Sequence, residues 1–217
     1  MQQATPKEQK KASNHYYDPE GGDLDTVLTA KMPDFQQPIV LYHGTSIFAA
    51  MASGLLGQGA YFGGLKLSSA IDCDFSRGAD TAFYWTPSRE LAEAYAWQSA
   101  YNTNTEKVLF TATFNPAAAR VKLKVFEDLE EWREALTWGW TGKGYQPASL
   151  EDHNVIAGWT QTRVKGVFWP AKFNFPEGSK HHAVYWQVAI TSRAVLDGLT
   201  DVQVTHLREA KLEYRFV

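Results

Sequence analysis

The apolar positions of this chain fall into short runs with two different periods. Ile39, Val40, Leu41 and Tyr42 form a compact apolar run, and Val108 to Phe114 alternates apolar and polar residues. Both patterns predict strands, because side chains alternate faces along extended backbone. Val121 to Val125, Val155 to Trp159 and Val184 to Ile190 read as further strands, and Leu212, Tyr214 and Phe216 alternate like an edge strand. Helical spacing shows elsewhere. Ile47, Ala50, Met51 and Leu55 predict a short helix between Ser46 and Leu56, and Phe126, Leu129, Trp132 and Leu136 share one side of a predicted helix from Phe126 to Trp138. Thr86-Pro87 reads as a helix start, threonine as N-cap and proline at the first helical position, with Leu91, Ala94 and Tyr95 sharing a face. Ser192 predicts the cap of a short helix running to Leu199.

Between these elements lie loops. Gly54 to Gly64 contains five glycines, and Trp138 to Gly144 reads as a structural loop. The latter lacks the glycine–lysine spacing of a phosphate-binding loop. Residues 1–34 are polar and without periodicity, a predicted N-terminal arm with a short ordered piece at Leu24 to Leu28, and residues 35–217 are expected to form a single domain. Many short strands, few helices and no β-α-β rhythm predict an α+β fold.

Composition narrows the function classes. Of the 217 residues, 44% are hydrophobic and 14% aromatic, enough to build a core. The net charge of −3 and the lack of a basic block argue against a non-specific polyanion binder. Cys73 is the only cysteine, so an intramolecular disulfide is excluded and a thiol nucleophile has no local signature. No apolar stretch follows the first residues, no run reaches membrane-spanning length and no Asn-x-Ser/Thr site occurs. An intracellular, cytoplasmic protein with no membrane partner is the expectation. The adjacent His181 and His182 have no partner at metal-ligand spacing, so no metal is expected. The tryptophans at 132, 138, 140, 159, 169 and 186 read as core more readily than as a stacking surface.

Two segments carry chemistry: Tyr42-His43-Gly44-Thr45, and Phe83-Tyr84-Trp85-Thr86 leading into a helix that bears Tyr95, eleven residues after Tyr84. Together they resemble the ADP-ribosyltransferase superfamily of the His-Tyr-Glu kind, which includes poly-ADP-ribose polymerases and diphtheria-type toxins. Cys73-Asp74-Phe75-Ser76-Arg77-Gly78, Asp152 to Gly158 and Trp186-Gln187-Val188-Ala189-Ile190 extend the likeness to an uncharacterised ADP-ribosyltransferase-like domain family of bacteria and fungi. The resemblance covers about residues 39–200.

It implies two small packed sheets with flanking helices around an NAD cleft, and NAD as substrate. It further implies that His43 holds the adenosine ribose and that Gly44 offers backbone groups to the nicotinamide carboxamide. Thr45 would lie beside them, Tyr84 and Tyr95 would sandwich the nicotinamide ring, and Arg77 would face the pyrophosphate. Gln187 stands where those enzymes carry the glutamate that stabilises positive charge on the reacting ribose. Asp152 is a candidate for the missing acid, and Asp74 a candidate for the mouth of the site. The implied reaction is transfer of ADP-ribose to a protein or nucleic acid with release of nicotinamide. The alternatives are NAD hydrolysis, a silent module that binds NAD or ADP-ribose, and an interaction domain.

Overall fold

The computed structural model describes residues 32–56, 74–75, 82–142, 145–164, 167–170, 172–173 and 183–207. Residues 1–31 of the predicted N-terminal arm, the Leu212 to Phe216 strand, His181, His182, Cys73, Arg77 and most of the Gly54 to Gly64 loop lie outside the described residues. The strands are β1 (Ile39–Ser46), β2 (Phe83–Trp85), β3 (Lys107–Phe114), β4 (Leu123–Val125), β5 (Val155–Trp159), β6 (Gln161–Val164), β7 (Val167–Pro170), β8 (Lys172–Phe173), β9 (Ala183–Val184), β10 (Trp186–Ile190) and β11 (Thr200–Leu207). The helices are α1 (Ile47–Ala52), α2 (Arg89–Thr103), α3 (Leu129–Thr141) and α4 (Arg193–Leu196). The protein is a mixed α+β structure. Among the described residues, no helix is long and apolar enough to cross a membrane.

Its contacts divide the chain into two compact units. One contains Trp159 to Tyr185 and holds the hairpins β6-β7 and β8-β9, both antiparallel. The other, Met32 to Gly158 with Trp186 to Arg208, holds the two small sheets that matter for the site. The first of these has the order β1-β3-β11 and is antiparallel throughout. The second has the order β2-β10-β5-β4, with β2 and β10 antiparallel and β4 and β5 parallel. An isolated bridge joins the sheets: the Tyr42 amide donates to the Thr86 carbonyl at 2.8 Å and the Thr86 amide donates back at 2.9 Å.

The burial explains the elements. Val155 to Trp159 and Trp186 to Ile190 are buried at every position, which is why their sequences, Gln187 apart, are apolar rather than alternating. Strand β3 buries Val108, Leu109, Phe110, Ala112 and Phe114 and lies between β1 and β11 in its sheet. Helix α2 presents Leu91, Ala92, Ala94, Ala96 and Ala100 to the interior. The small side chains let the helix lie close on β1. Gly44 completes the fit: a Cβ there would overlap the Ala92 carbonyl and come within 2.9 Å of the Ala96 nitrogen.

Several boundaries differ from the sequence reading. The N-cap of α2 is Ser88, whose hydroxyl accepts from the Leu91 amide at 3.2 Å, and Thr86 stays in the sheet. Thr86 is held there because its buried hydroxyl donates to the Trp186 carbonyl at 2.8 Å and accepts from the Ser88 amide. Helix α3 starts only after Asp128, which caps the Glu131 amide, since Phe126 still pairs with Ala157 as an extension of β4. The helix also runs through the tryptophan–glycine stretch expected to be a loop. Gly139 is buried within it, and the stop is Gly142 at φ 64°, a left-handed position glycine adopts without strain. The predicted Val184 to Ile190 strand is split at Tyr185, and Arg193–Leu196 is shorter than the predicted helix to Leu199. Strand β11 has no counterpart in the sequence reading.

Candidate functional site

A cleft of about 440 Å³ opens beside the bridge between the two sheets. That volume is in the range of small-molecule sites, about 300–1,000 Å³. Its walls come from the end of β1 (Tyr42, His43, Gly44), from β2 and Thr86, from Gln187 on β10, from Asp74, and from one face of α2. Tyr95, Gln98, Ser99 and Asn102 form that helical face, at the i, i+3, i+4, i+7 spacing that aligns side chains along a helix. The cleft thus has aromatic walls with amide, hydroxyl and carboxylate groups set into them.

The His43 ring is enclosed by Phe83, Trp85 and Phe110, with centroids 4.4, 5.9 and 6.2 Å away. Its Nδ1 lies 2.8 Å from the Tyr84 carbonyl. A carbonyl can only accept, so Nδ1 carries the proton and Nε2 is the acceptor of a neutral ring. Burial pushes the imidazole pKa down to about 4, against a smaller upward pull from the Tyr84 carbonyl. His43 reaches the cleft at its edge as a neutral side chain.

Tyr84 does two jobs on one strand. Its carbonyl orients His43, and its hydroxyl accepts from the Phe75 amide at 3.0 Å. Phe75 is buried, stacks on Phe126 with centroids 5.5 Å apart, and fits over Gly158, where a Cβ would come within 3.0 Å of its ring. These contacts fix the neighbouring Asp74. One carboxylate oxygen of Asp74 accepts from Gln187 Nε2 at 2.6 Å, the other from Trp140 Nε1 at 2.8 Å. Gln187 itself is only 8% exposed. Tyr95 exposes 39% of its surface along the cleft wall, while its phenol is titrated with difficulty, first through desolvation and then through the negative charge of Asp74.

His43, Gly44, Tyr84, Tyr95 and Gln187, all singled out in the sequence, line this one cleft. Thr45 does not line it. It is buried, with its hydroxyl 3.4 Å from Ser99 in a cluster in which Ser99 also bonds Ser46. Asp152 lies elsewhere, exposed in a turn at φ 61° and bordering a second cavity with Glu151, His153 and Gln146. The groups not anticipated are Gln98, Ser99, Asn102 and the indole of Trp140. The helical face could have been found by extending the period from Tyr95. Trp140 could not, having been read as part of a loop. Among the described residues, no group of three or more His, Cys, Asp or Glu side chains converges as a metal site would require.

The sequence matches no protein-family model, and no curated protein matches it.

Proposed function

We propose that the cleft binds NAD and that the protein is an ADP-ribosyltransferase, releasing nicotinamide and passing ADP-ribose to a macromolecular acceptor on an ADP-ribosyltransferase-like fold. The observation that carries this reading is the convergence of His43, Tyr84, Tyr95 and Gln187 on one cleft from four separate elements. Each group suits its part. Neutral His43 offers Nε2 as an acceptor for a ribose hydroxyl. Tyr84 and Tyr95 supply ring surface against which a nicotinamide can pack, worth about 1–3 kcal/mol per stacked base in comparable sites. Gln187 can hydrogen-bond the reacting ribose. Gln98 and Asn102 add amide donors and acceptors along the same wall.

Gly44 has a part of its own. Its missing Cβ faces the backbone of α2, so its first task is to let the helix approach β1. Tyr95, Gln98 and Asn102 reach the cleft as a consequence.

The test uses NAD labelled on its adenylate half, incubated with purified protein and a cell lysate, with Tyr95→Ala and Gln187→Ala proteins alongside. Label transferred to protein or nucleic acid, and lost in both variants, is the expected result. Free labelled ADP-ribose without transfer would reassign the protein as an NAD hydrolase. Saturable NAD binding without turnover would leave a binding module, and no binding at all overturns the reading.

A further inference from the structure

The ribose of NAD gains positive charge as its bond to nicotinamide breaks, and a neutral Gln187 cannot offset that charge. The geometry points to Asp74 as the residue that does so, a catalytic carboxylate delivered from a loop and held against Gln187 rather than carried on the strand itself. The assignment rests on the NAD reading above.

Three observations support it. First, Asp74 lines the same cleft as Gln187, and its carboxylate is in direct hydrogen-bond contact with the glutamine amide at 2.6 Å. The charge therefore sits one side chain away from the strand position where the resembled enzymes carry theirs. Second, both carboxylate oxygens are held, one by Gln187 Nε2 and the other by the donor-only Trp140 Nε1, which fixes the orientation of the group. Third, the carboxylate is anchored through its neighbour Phe75 and at its own oxygens. Phe75 is seated against Phe126 and Gly158, its amide is tied to the Tyr84 hydroxyl, and the indole of Trp140 projects from α3. A solvated loop aspartate would need none of this. Pre-set orientation is what allows a fixed charge to stabilise a developing one without reorganisation.

The step balances as follows. The bond between ribose C1 and the nicotinamide nitrogen breaks, and its electron pair leaves with the ring, whose positive charge is thereby cancelled. The resulting ribosyl cation is stabilised by Asp74. A lone pair of the acceptor forms the new bond at C1, and the acceptor's proton passes to the Asp74 carboxylate and then to water. No oxidant or reductant takes part.

The experiment is a charge transplant in the full-length protein, following nicotinamide release and NAD binding in parallel. Asp74→Asn keeps the size of the side chain and removes its charge. Turnover is expected to fall about a hundredfold, the loss typical of one oriented electrostatic stabiliser, with NAD affinity changed less than about threefold. Asp74→Asn combined with Gln187→Glu returns a carboxylate to the strand and is expected to recover at least a tenth of wild-type turnover. Trp140→Phe, which removes one donor from the carboxylate, should lower kcat several-fold without raising KM. It serves as the readout if Asp74→Asn melts early. Wild-type turnover with Asp74→Asn at the same rate overturns the assignment of Asp74 and leaves the NAD reading standing. A wild-type protein that neither binds NAD nor releases nicotinamide overturns both.

Discussion

Replacing Gly44 with alanine should separate the packing of this protein from its chemistry. The new Cβ would overlap the Ala92 carbonyl oxygen, lie 2.5 Å from the carbonyl carbon and 2.9 Å from the Ala96 nitrogen. Non-bonded carbons sit comfortably about 3.5–4.0 Å apart, so α2 must retreat by at least about 1 Å. The obstacle is helical backbone, which cannot rotate away as a side chain can. Overpacking in a tight core costs about 1–3 kcal/mol, and a clash with backbone belongs at the upper end. For a chain of this size each kcal/mol lowers Tm by about 2–4 °C, so the expected drop is about 6–12 °C. Gly158→Ala is the comparison: the atoms nearest its Cβ would be side-chain atoms of Phe75 and Trp132, each at 3.0 Å, and about 1 kcal/mol is expected. Thermal unfolding followed by circular dichroism reads both. The retreat of α2 also carries Tyr95, Gln98 and Asn102 outward, so ligand affinity should weaken along with stability. A Gly44→Ala protein that melts within 2 °C of wild type, by the about 2 °C resolution the scaling implies, would refute the close helix–strand contact and the packing role drawn from it.

Two further outcomes follow from individual bonds. His43 has a folded-state pKa near 4 against an ordinary 6.5, so its contribution to stability is fully present above pH 6.5 and is lost as pH falls toward 4. The shift corresponds to about 3 kcal/mol. Urea midpoints measured across that window should slope downward for wild type, and the slope should shrink in His43→Gln; equal slopes would remove the buried-imidazole account. At the start of α2, Ser88→Ala should cost about 1 kcal/mol as a lost cap. Thr86→Val should cost more, about 1–3 kcal/mol, because it leaves the buried Trp186 carbonyl without its 2.8 Å donor. Melting temperatures in the reverse order would return the cap to Thr86.

The strands that bury every residue, β5 and β10, are plain in the sequence because Gln187 is the one polar residue in their ten positions. So are β1 and β3, and the pair of tyrosines on β2 and α2. Boundaries were less legible where two residues could serve the same purpose. Thr86 and Ser88 flank Pro87 and both can cap a helix; a bond from Thr86 to Trp186, 100 residues away, decides between them. The helix α3 was cut short because glycines beside tryptophans look like a loop, whereas Gly139 is a packing residue and only Gly142 ends the helix. The site divides in the same way. Residues on one face of one element could be found by period. The contact of Asp74 with Gln187 spans 113 positions and exists only because Phe75 finds a seat among aromatic residues from other elements. Gly44 is expected from the resemblance to offer backbone groups to a ligand, whereas its missing Cβ faces a helix, which local sequence does not name.

The bridge between Tyr42 and Thr86 has a bearing on how any variant of His43 is read. One bridge between Tyr42 and Thr86 fixes a point of attachment but not an angle, much as one rivet lets two plates pivot. The bond from His43 on β1 to the Tyr84 carbonyl on β2 is a second rivet, placed beside the first, and together they lock the pivot. The histidine is therefore a joint of the frame as well as a candidate contact for the ligand. Truncating it removes one of these two ties, so a loss of ligand affinity in a His43 variant can report on the frame even for a ligand that never touches the imidazole.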